Sequence, residues 1–230
     1  MNISVIIPVY NEEKTILEIV EKVLKQEITI HEIIIVDDNS SDGTKNKIIE
    51  ISSKYKIIKS YFKETNQGKG SAIKKGIEMV TGDIVIFQDA DLEYNPEDYK
   101  KLIIPFKETD AQVVYGTRFL GGSYARLHFF WHYVANKLLT LFCNILTNLN
   151  MSDMETGYKL FKADTLKSLN LKENSFGIEP EITIKLSNKK LIFYEVPISY
   201  QGRSYQEGKK IRLKDAFVAV YCLIKYKFFN

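Results

Sequence analysis

Asp89 and Asp91, set two residues apart in Gln88-Asp89-Ala90-Asp91, are the pair in this chain best suited to do chemistry. Ionised carboxylates held in a confined space repel each other unless a cation lies between them. A hard divalent ion, Mg²⁺ or Mn²⁺, suits such oxygen ligands and commonly arrives carrying a phosphate. Glu93, two residues further on, offers another oxygen. Lys69, in Asn66-Gln67-Gly68-Lys69-Gly70, supplies a point charge for phosphate, and its flanking glycines let backbone approach closely. Asp38 can accept hydrogen bonds from a base or a ribose. The Asn39-Ser40-Ser41-Asp42-Gly43-Thr44 segment that follows is rich in turn and cap formers and also reads as a helix start near Asp42.

The elements that must position these residues are legible as apolar runs. Ile84 to Phe87 reads as a fully buried strand that delivers Asp89 and Asp91 at its C-terminal end, where open α/β sheets bind ligands. Ile3 to Ile7 reads as a first strand, stopped by Pro8, which lacks a ladder N–H. A helix carrying Ile16, Leu17, Ile19, Val20, Val23 and Leu24 follows. Glu32 to Val36 and Ile57 to Phe62 are the next strands. Strands alternating with helical stretches predict parallel βαβ units, each strand followed by a polar loop on the same edge of the sheet.

Pro8-Val9-Tyr10-Asn11-Glu12, Asp37 to Thr44, Asn66 to Gly70 and Asp89-Ala90-Asp91 together resemble the ordered motifs of family-2 glycosyltransferases with the GT-A fold. Within that family, Gly116-Thr117-Arg118, Asp153-Met154-Glu155-Thr156-Gly157-Tyr158-Lys159 and Val196-Pro197-Ile198 resemble the dolichol-phosphate mannose synthase branch, whose members make polyprenyl-phosphate sugars. The resemblance covers about residues 1–210. It implies an α/β GT-A domain with a mostly parallel central sheet flanked by helices; beyond it, residues 211–230 read from their own pattern as an amphipathic helix. The resemblance also implies that Pro8, Tyr10, Glu12, Asp38, Gly68, Lys69, Asp89 and Ala90 hold a UDP- or GDP-sugar. Asp89 and Asp91, with Glu93 where the family often has glutamine, would hold the Mg²⁺ or Mn²⁺ that bridges the diphosphate. The metal would neutralise charge developing on the leaving nucleoside diphosphate.

The acceptor decides what else is needed. A polyprenyl phosphate is already ionised and needs cations rather than a strong base. Arg118, Arg126 and Arg203 are the candidates, with Lys137 and Lys209 behind them, because arginine's forked donors match phosphate. A sugar hydroxyl would need a carboxylate base. The resemblance points to Asp153 for that role; Glu179 and Glu181 are alternatives that also read as acids in a first helical turn. The Gln-x-x-Arg-Trp signature of processive polysaccharide synthases is absent from the sequence, whose only tryptophan is Trp131.

Bulk properties agree with one substantial domain. The 230 residues carry 32 basic and 29 acidic side chains, a net charge of +3, so nucleic acid is not the expected partner. Cys143 and Cys222, both in apolar stretches, read as buried thiols rather than a disulfide or zinc framework. No leader is expected, and no apolar run reaches the ~18 residues of a membrane span. Between Leu127 and Leu146, His128, His132, Asn136, Thr140 and Asn144 form a polar stripe at helical spacing; the other faces are apolar and aromatic. Ala216 to Ile224 is apolar and flanked by basic residues. Both segments predict helices that pack on the domain, meet a partner protein, or rest on an anionic membrane surface. The expected location is the cytoplasmic membrane face.

Overall fold

In the computed structural model, residues 1–121, 130–203 and 213–229 are described, the side chains of 213 and 214 excepted. Seven strands form one sheet: β1 (Ile3–Val9), β2 (Ile30–Asp37), β3 (Ile58–Phe62), β4 (Ile84–Phe87), β5 (Val113–Thr117), β6 (Lys159–Lys162) and β7 (Phe193–Pro197). Their order is β3-β2-β1-β4-β6-β5-β7. β6 alone runs against its neighbours β4 and β5; the other paired strands are parallel. The reversal brings the start of β6 to the same edge as the ends of β1, β2 and β4.

The sheet is buried on both faces, as unbroken apolar runs require. Val5, Ile7 and Val9 of β1 enter one core with Ile33 and Ile35 of β2 and Ile84 and Ile86 of β4. That face is covered by α1 (Ile16–Leu24) and α2 (Thr44–Lys54), with a 3₁₀ turn (Pro96–Asp98) and the short helices α4 (Tyr99–Leu102) and α5 (Ile104–Glu108). Ile6, Ile34, Val36, Val85 and Phe87 enter the second core, under α3 (Lys69–Met79), α6 (Phe130–Thr147), α7 (Ala163–Lys167), α8 (Ile178–Ser187) and α9 (Leu213–Phe228).

Pro8 does not end β1. It pairs with Val36 of β2, and the strand runs on to Val9. Ile6 accepts from Gln88 N, so Pro8, two residues on, faces the same β4 side, where pairing has already ended at Phe87. Its missing N–H therefore leaves no ladder partner unmet. The helix expected near Asp42 begins at Thr44, whose N–H donates to Asp42 Oδ1 at 3.0 Å. Cys143 and Cys222 are free and buried, and burial pushes both thiols up to about 12.

α6 shows two faces. Thr140 Oγ1 accepts from Met154 N at 3.1 Å, and Asn144 brackets Met151 through its backbone N–H and C=O. The polar stripe thus holds the loop that leads into β6; His128 lies outside the described residues. The opposite face leaves Trp131 76% and Ile145 70% exposed, and on α9 Phe217 is 72% exposed. Among the described residues no helix is long and apolar enough to cross a membrane.

Candidate active site

The tetrapeptide after β4 is fixed from below. Gln88 is fully buried, and its Oε1 accepts from the hydroxyls of Tyr99 and Tyr158, each at 2.7 Å. Its Nε2 donates to the carbonyl of Asp89 at 2.9 Å. Asp91 Oδ1 accepts from Glu93 N at 3.1 Å, closing a tight turn in which Leu92 takes a left-handed φ of 63°. A leucine in that region is uncommon and is held there by its surroundings. Gly157 lies against the first carboxylate: a Cβ there would stand 2.6 Å from Asp89 Oδ2, so any side chain would displace it.

A cavity of about 360 Å³ opens over this turn. Pro8, Tyr10, Glu12, Asp38, Gly68 and Lys69 wall one end, with Asp89, Ala90, Asp91 and Glu93 beneath. Arg118, Glu155, Glu179 and Arg203 also line it. These residues come from the ends of five strands, the start of β6 and the first turns of α3 and α8. Of the residues expected to act, Arg126 and Lys209 lie outside the described residues.

Lys69 donates to Asp89 at 2.7 Å and lies 3.3 Å from Glu179 Oε1. Glu179 in turn pairs with the fully buried Lys159 at 2.6 Å. Burial works against the Lys69 ammonium, but Asp89 and Glu179 outweigh it and hold the group above the ordinary lysine range. The alternating chain Lys159–Glu179–Lys69–Asp89 fixes a cation at the mouth of α3. The flanking glycines have a reason besides phosphate. A Cβ on Gly68, whose φ is +101°, would stand 2.6 Å from the carbonyl of Asn174, so the 173–175 segment fills that space.

Asp38 is buried, and its carboxylate already accepts from Lys63 Nζ at 2.6 Å and Gly68 N at 2.6 Å. It shapes the loop beside the cavity as well as facing it. Glu93, expected as a metal ligand, lines the cavity and also holds the chain that follows β7. Tyr200 Oη donates to its Oε2 at 2.6 Å, and Arg203 N to its Oε1 at 2.8 Å, so it anchors the 200–203 segment.

Asp91 is different. Burial raises its carboxyl, Asp89 and Glu93 add repulsion, and Arg203 offsets only part, leaving it pushed up to about 7. The Arg203 Nη2 stands 3.0 Å from Asp91 and 3.4 Å from Glu12. Among the described residues no group of three or more acids, histidines or cysteines converges on one metal position. The Asp89–Asp91 pair by itself nevertheless suits a hard cation. Both are oxygen donors, and the burial and crowding that disfavour the Asp91 carboxylate, only partly offset by Arg203, are the condition that a divalent ion bound with phosphate would relieve.

Asp153, the base expected for a hydroxyl acceptor, is fully buried. Arg118 grips it twice, Nε to Oδ2 at 2.7 Å and Nη2 to Oδ1 at 2.6 Å, while the Arg118 backbone N–H adds a third bond. Its own backbone N–H, with that of Ser152, donates to Glu195 of β7. Asp153 thus orients Arg118, which lines the cavity where Asp153 does not. Lys137 donates to the Ser152 carbonyl at 3.2 Å and helps hold the same loop. Sequence reading passed over Glu155 and Lys159 although both lie in the motif it singled out. For Lys159 no local signal was available: β6 reads Lys159-Leu160-Phe161-Lys162, with a lysine at each end, and only the fold buries the first and leaves the second exposed.

A family model described as glycosyl transferase family 2 matches residues 4–169. A dolichol-phosphate mannosyltransferase of Pyrococcus furiosus is 30% identical over 219 residues, which cover 92% of this chain and 61% of that protein. The low-salt glycan biosynthesis hexosyltransferase Agl6 of Haloferax volcanii is 30% identical over 207 residues, covering 87% of this chain and 48% of that one. This chain therefore spans only about half to three-fifths of the length of these two relatives. Among solved structures, glucosyl-3-phosphoglycerate synthase from Mycobacterium tuberculosis, in complex with Mn²⁺, uridine diphosphate and phosphoglyceric acid, aligns with a TM-score of 0.77 at 20% identity. That alignment covers 100% of this chain and 79% of the synthase chain and shows a shared GT-A architecture. With the family model covering most of the chain and the cavity lying on the sheet edge where its motifs converge, the protein belongs to glycosyl transferase family 2.

Proposed function

We propose that the protein transfers a sugar from a UDP- or GDP-sugar to a polyprenyl phosphate, by direct inverting displacement at the anomeric carbon. The observation that carries this reading is the Arg118–Asp153 pair. The carboxylate expected to serve as base is held by a cation, and the cation is the group presented to the cavity. A phosphate acceptor needs that cation and no strong base. The 30% identity to a dolichol-phosphate mannosyltransferase supports the same acceptor class.

In this reading Pro8, Tyr10, Glu12 and Asp38 hold the nucleoside, and Lys69 offsets charge on the diphosphate. Asp89 and Asp91 hold Mg²⁺ or Mn²⁺, which when bound stabilises negative charge on the departing nucleoside diphosphate. The Mn²⁺ and uridine diphosphate in the synthase complex support a metal of this kind. Arg118 and Arg203 bring the acceptor phosphate against the donor despite its charge. The exposed apolar faces of α6 and α9 support peripheral contact with a lipid surface, or with a membrane protein partner, near which the acceptor would be found.

The deciding experiment incubates purified protein and Mn²⁺ with UDP- and GDP-sugars, with and without a short polyprenyl phosphate, and follows released nucleoside diphosphate. Release that depends on the lipid phosphate, with a charged glycolipid product, is the expected result. Donor turnover indifferent to every prenyl phosphate sinks this acceptor. A second reading, transfer to a saccharide hydroxyl, draws support from the Haloferax hexosyltransferase relative. Under it Asp153→Asn abolishes turnover, whereas a phosphate acceptor leaves that variant only weakened.

A further inference from the structure

We propose that Glu155 binds the hydroxyl groups of the donor sugar and so selects which nucleotide sugar reacts. This rests on the nucleotide-sugar reading given above and assigns a residue to its sugar end.

Among the described residues, Glu155 is a cavity-wall acid with an oxygen that no donor meets and no ion pair to answer it. Asp38 is met by Lys63, Asp89 by Lys69, and Glu179 by both Lys69 and Lys159. Glu155 Oε1 is sealed from solvent with no hydrogen-bond partner, on a side chain that lines the cavity. A buried acceptor left without a donor is costly, and in native proteins it is commonly met by a ligand or water. The carboxyl needs only to turn about its last torsion, which is broad for glutamate, to present that oxygen to the cavity.

The backbone beneath it is not free to move away. Two residues before, Asp153 is gripped by Arg118; two residues after, Gly157 N donates to Tyr94 Oη at 2.8 Å. Between them, the Thr156 carbonyl accepts from Lys159 Nζ. Glu155 is therefore a rigidly based group with an unmet oxygen, not a surface acid folded inward.

Its position along the sheet names the ligand. The nucleoside end of the cavity is built by the loops after β1, β2 and β3, and Asp89 and Asp91 follow β4. Glu155 precedes β6, the next strand beyond β4. Adjacent strands lie about 4.8 Å apart. A nucleotide sugar with its base over β1 and β2 and its diphosphate at Lys69 and Asp89 carries its sugar past β4, to the edge where Glu155 stands. Burial first, then Glu179 and Asp153, raise the Glu155 carboxyl; Lys159 and Arg118 offset part of this and leave it at about 7. Near neutrality such a group can accept from a hydroxyl or donate to one.

The test compares the full chain with E155Q and E155L, titrating UDP against UDP-glucose and GDP against GDP-mannose in the presence of Mg²⁺ by calorimetry. The quantity read is the ratio of nucleotide-sugar to nucleoside-diphosphate affinity. In E155L that ratio should fall roughly tenfold to a hundredfold, the worth of a hydrogen bond to a charged group, while nucleoside-diphosphate affinity stays within about twofold. E155Q, which keeps an acceptor and a donor, should recover part of the ratio. An unchanged ratio in E155L overturns the proposal, as does an equal loss for nucleotide and nucleotide sugar, which marks a structural role. Lost turnover with an unchanged ratio also overturns it and makes Glu155 a base for a hydroxyl acceptor. Wild-type protein that binds nucleoside diphosphate but gains nothing from either sugar overturns the Glu155 role alone; wild type that binds no nucleotide overturns the underlying reading with it. Should E155L fail to fold, deoxy-sugar donors with wild type and E155Q serve instead: one deoxy position should lose the same factor in wild type and less in E155Q, and no such position would refute the assignment.

Discussion

Glu32 and Asp91 are acids at opposite ends of one sheet, and the protein treats them in opposite ways. Glu32, near the start of β2, is buried, which alone would raise its carboxyl, yet Lys59, Ser4 and Thr81 hold it down at about 2. Lys59 Nζ stands at 2.5 Å, Ser4 Oγ and Thr81 N at 2.6 Å each. Asp91, beyond the end of β4, is pushed up to about 7 because burial is joined by two carboxylate neighbours and answered only in part by Arg203. The first acid has more partners than it needs, and its charge serves the fold. The second has fewer, and under the proposed function a bound cation supplies what is missing. A site that binds a metal with a diphosphate must keep such a deficit, because fully matched carboxylates would have nothing left to offer.

The contrast breaks most visibly at Asp91. Asp91→Ala should lower kcat/KM by roughly a hundredfold to a thousandfold at saturating Mg²⁺, the usual cost of removing one group that stabilises developing charge. Its melting temperature should hold or rise, since one of three crowded acids has gone. Full turnover in that variant would refute the metal role, and a large loss of stability would refute the account of Asp91 as an under-matched group.

Glu32→Gln should do the reverse. Turnover per folded molecule stays as in wild type, while stability at pH 7 falls by about 3 kcal/mol, the free-energy equivalent of a carboxyl lowered from 4.5 to about 2. The sign follows from the shift. The folded-state value lies below the ordinary 4.5, so the contribution is fully present above about 4.5 and is lost as pH falls through about 2. Urea unfolding of both proteins from pH 7 to pH 2 should therefore show a gap that closes only in the acid half of the range. A gap independent of pH would mean that the glutamate acts by packing rather than by charge.

These partner sets mark how far sequence reading reaches. The four strands β1 to β4 and the placement of Asp89 and Asp91 after β4 follow from apolar runs and their polar ends, because those are local patterns. The antiparallel β6 escapes the same reading. It is four residues long and opens on Lys159, which is buried only because Glu179, twenty positions away in the chain, neutralises it. Glu93 and Asp153 were legible as acids near the site, but their commitments were not. Tyr200 and Arg118, which engage them, lie 107 and 35 positions away along the chain. What an acid is available for depends on partners that only the tertiary fold supplies.

Lys69 sharpens the comparison with a smaller effect, because it is the cation that keeps the deficit from growing. Lys69→Met removes the partner of Asp89 and one partner of Glu179. Nucleoside-diphosphate affinity should weaken roughly tenfold to a hundredfold, the worth of one charge-assisted hydrogen bond. Raising Mg²⁺ should recover part of it, since a second cation can answer the same carboxylates. If affinity in the variant stayed at the wild-type level by calorimetry, the charge would be serving the Glu179–Lys159 chain alone.

The smallest effect is expected where charge meets water. Glu18 pairs with Lys22 at 2.7 Å across one turn of α1, with side chains 54% and 46% exposed. The separation matches that of Lys69 from Asp89, so distance does not distinguish the two pairs. Solvent does: exposed pairs one helical turn apart contribute only about 0.3–0.5 kcal/mol, and salt screens them further. Glu18→Gln should shift the urea midpoint by an amount near the limit of measurement at low salt and by nothing in 1 M NaCl, with turnover untouched. A loss comparable to that of Glu32→Gln would mean that ion-pair distance, rather than the number of partners around a buried acid, governs stability here. The contrast between Glu32 and Asp91 would then need another cause.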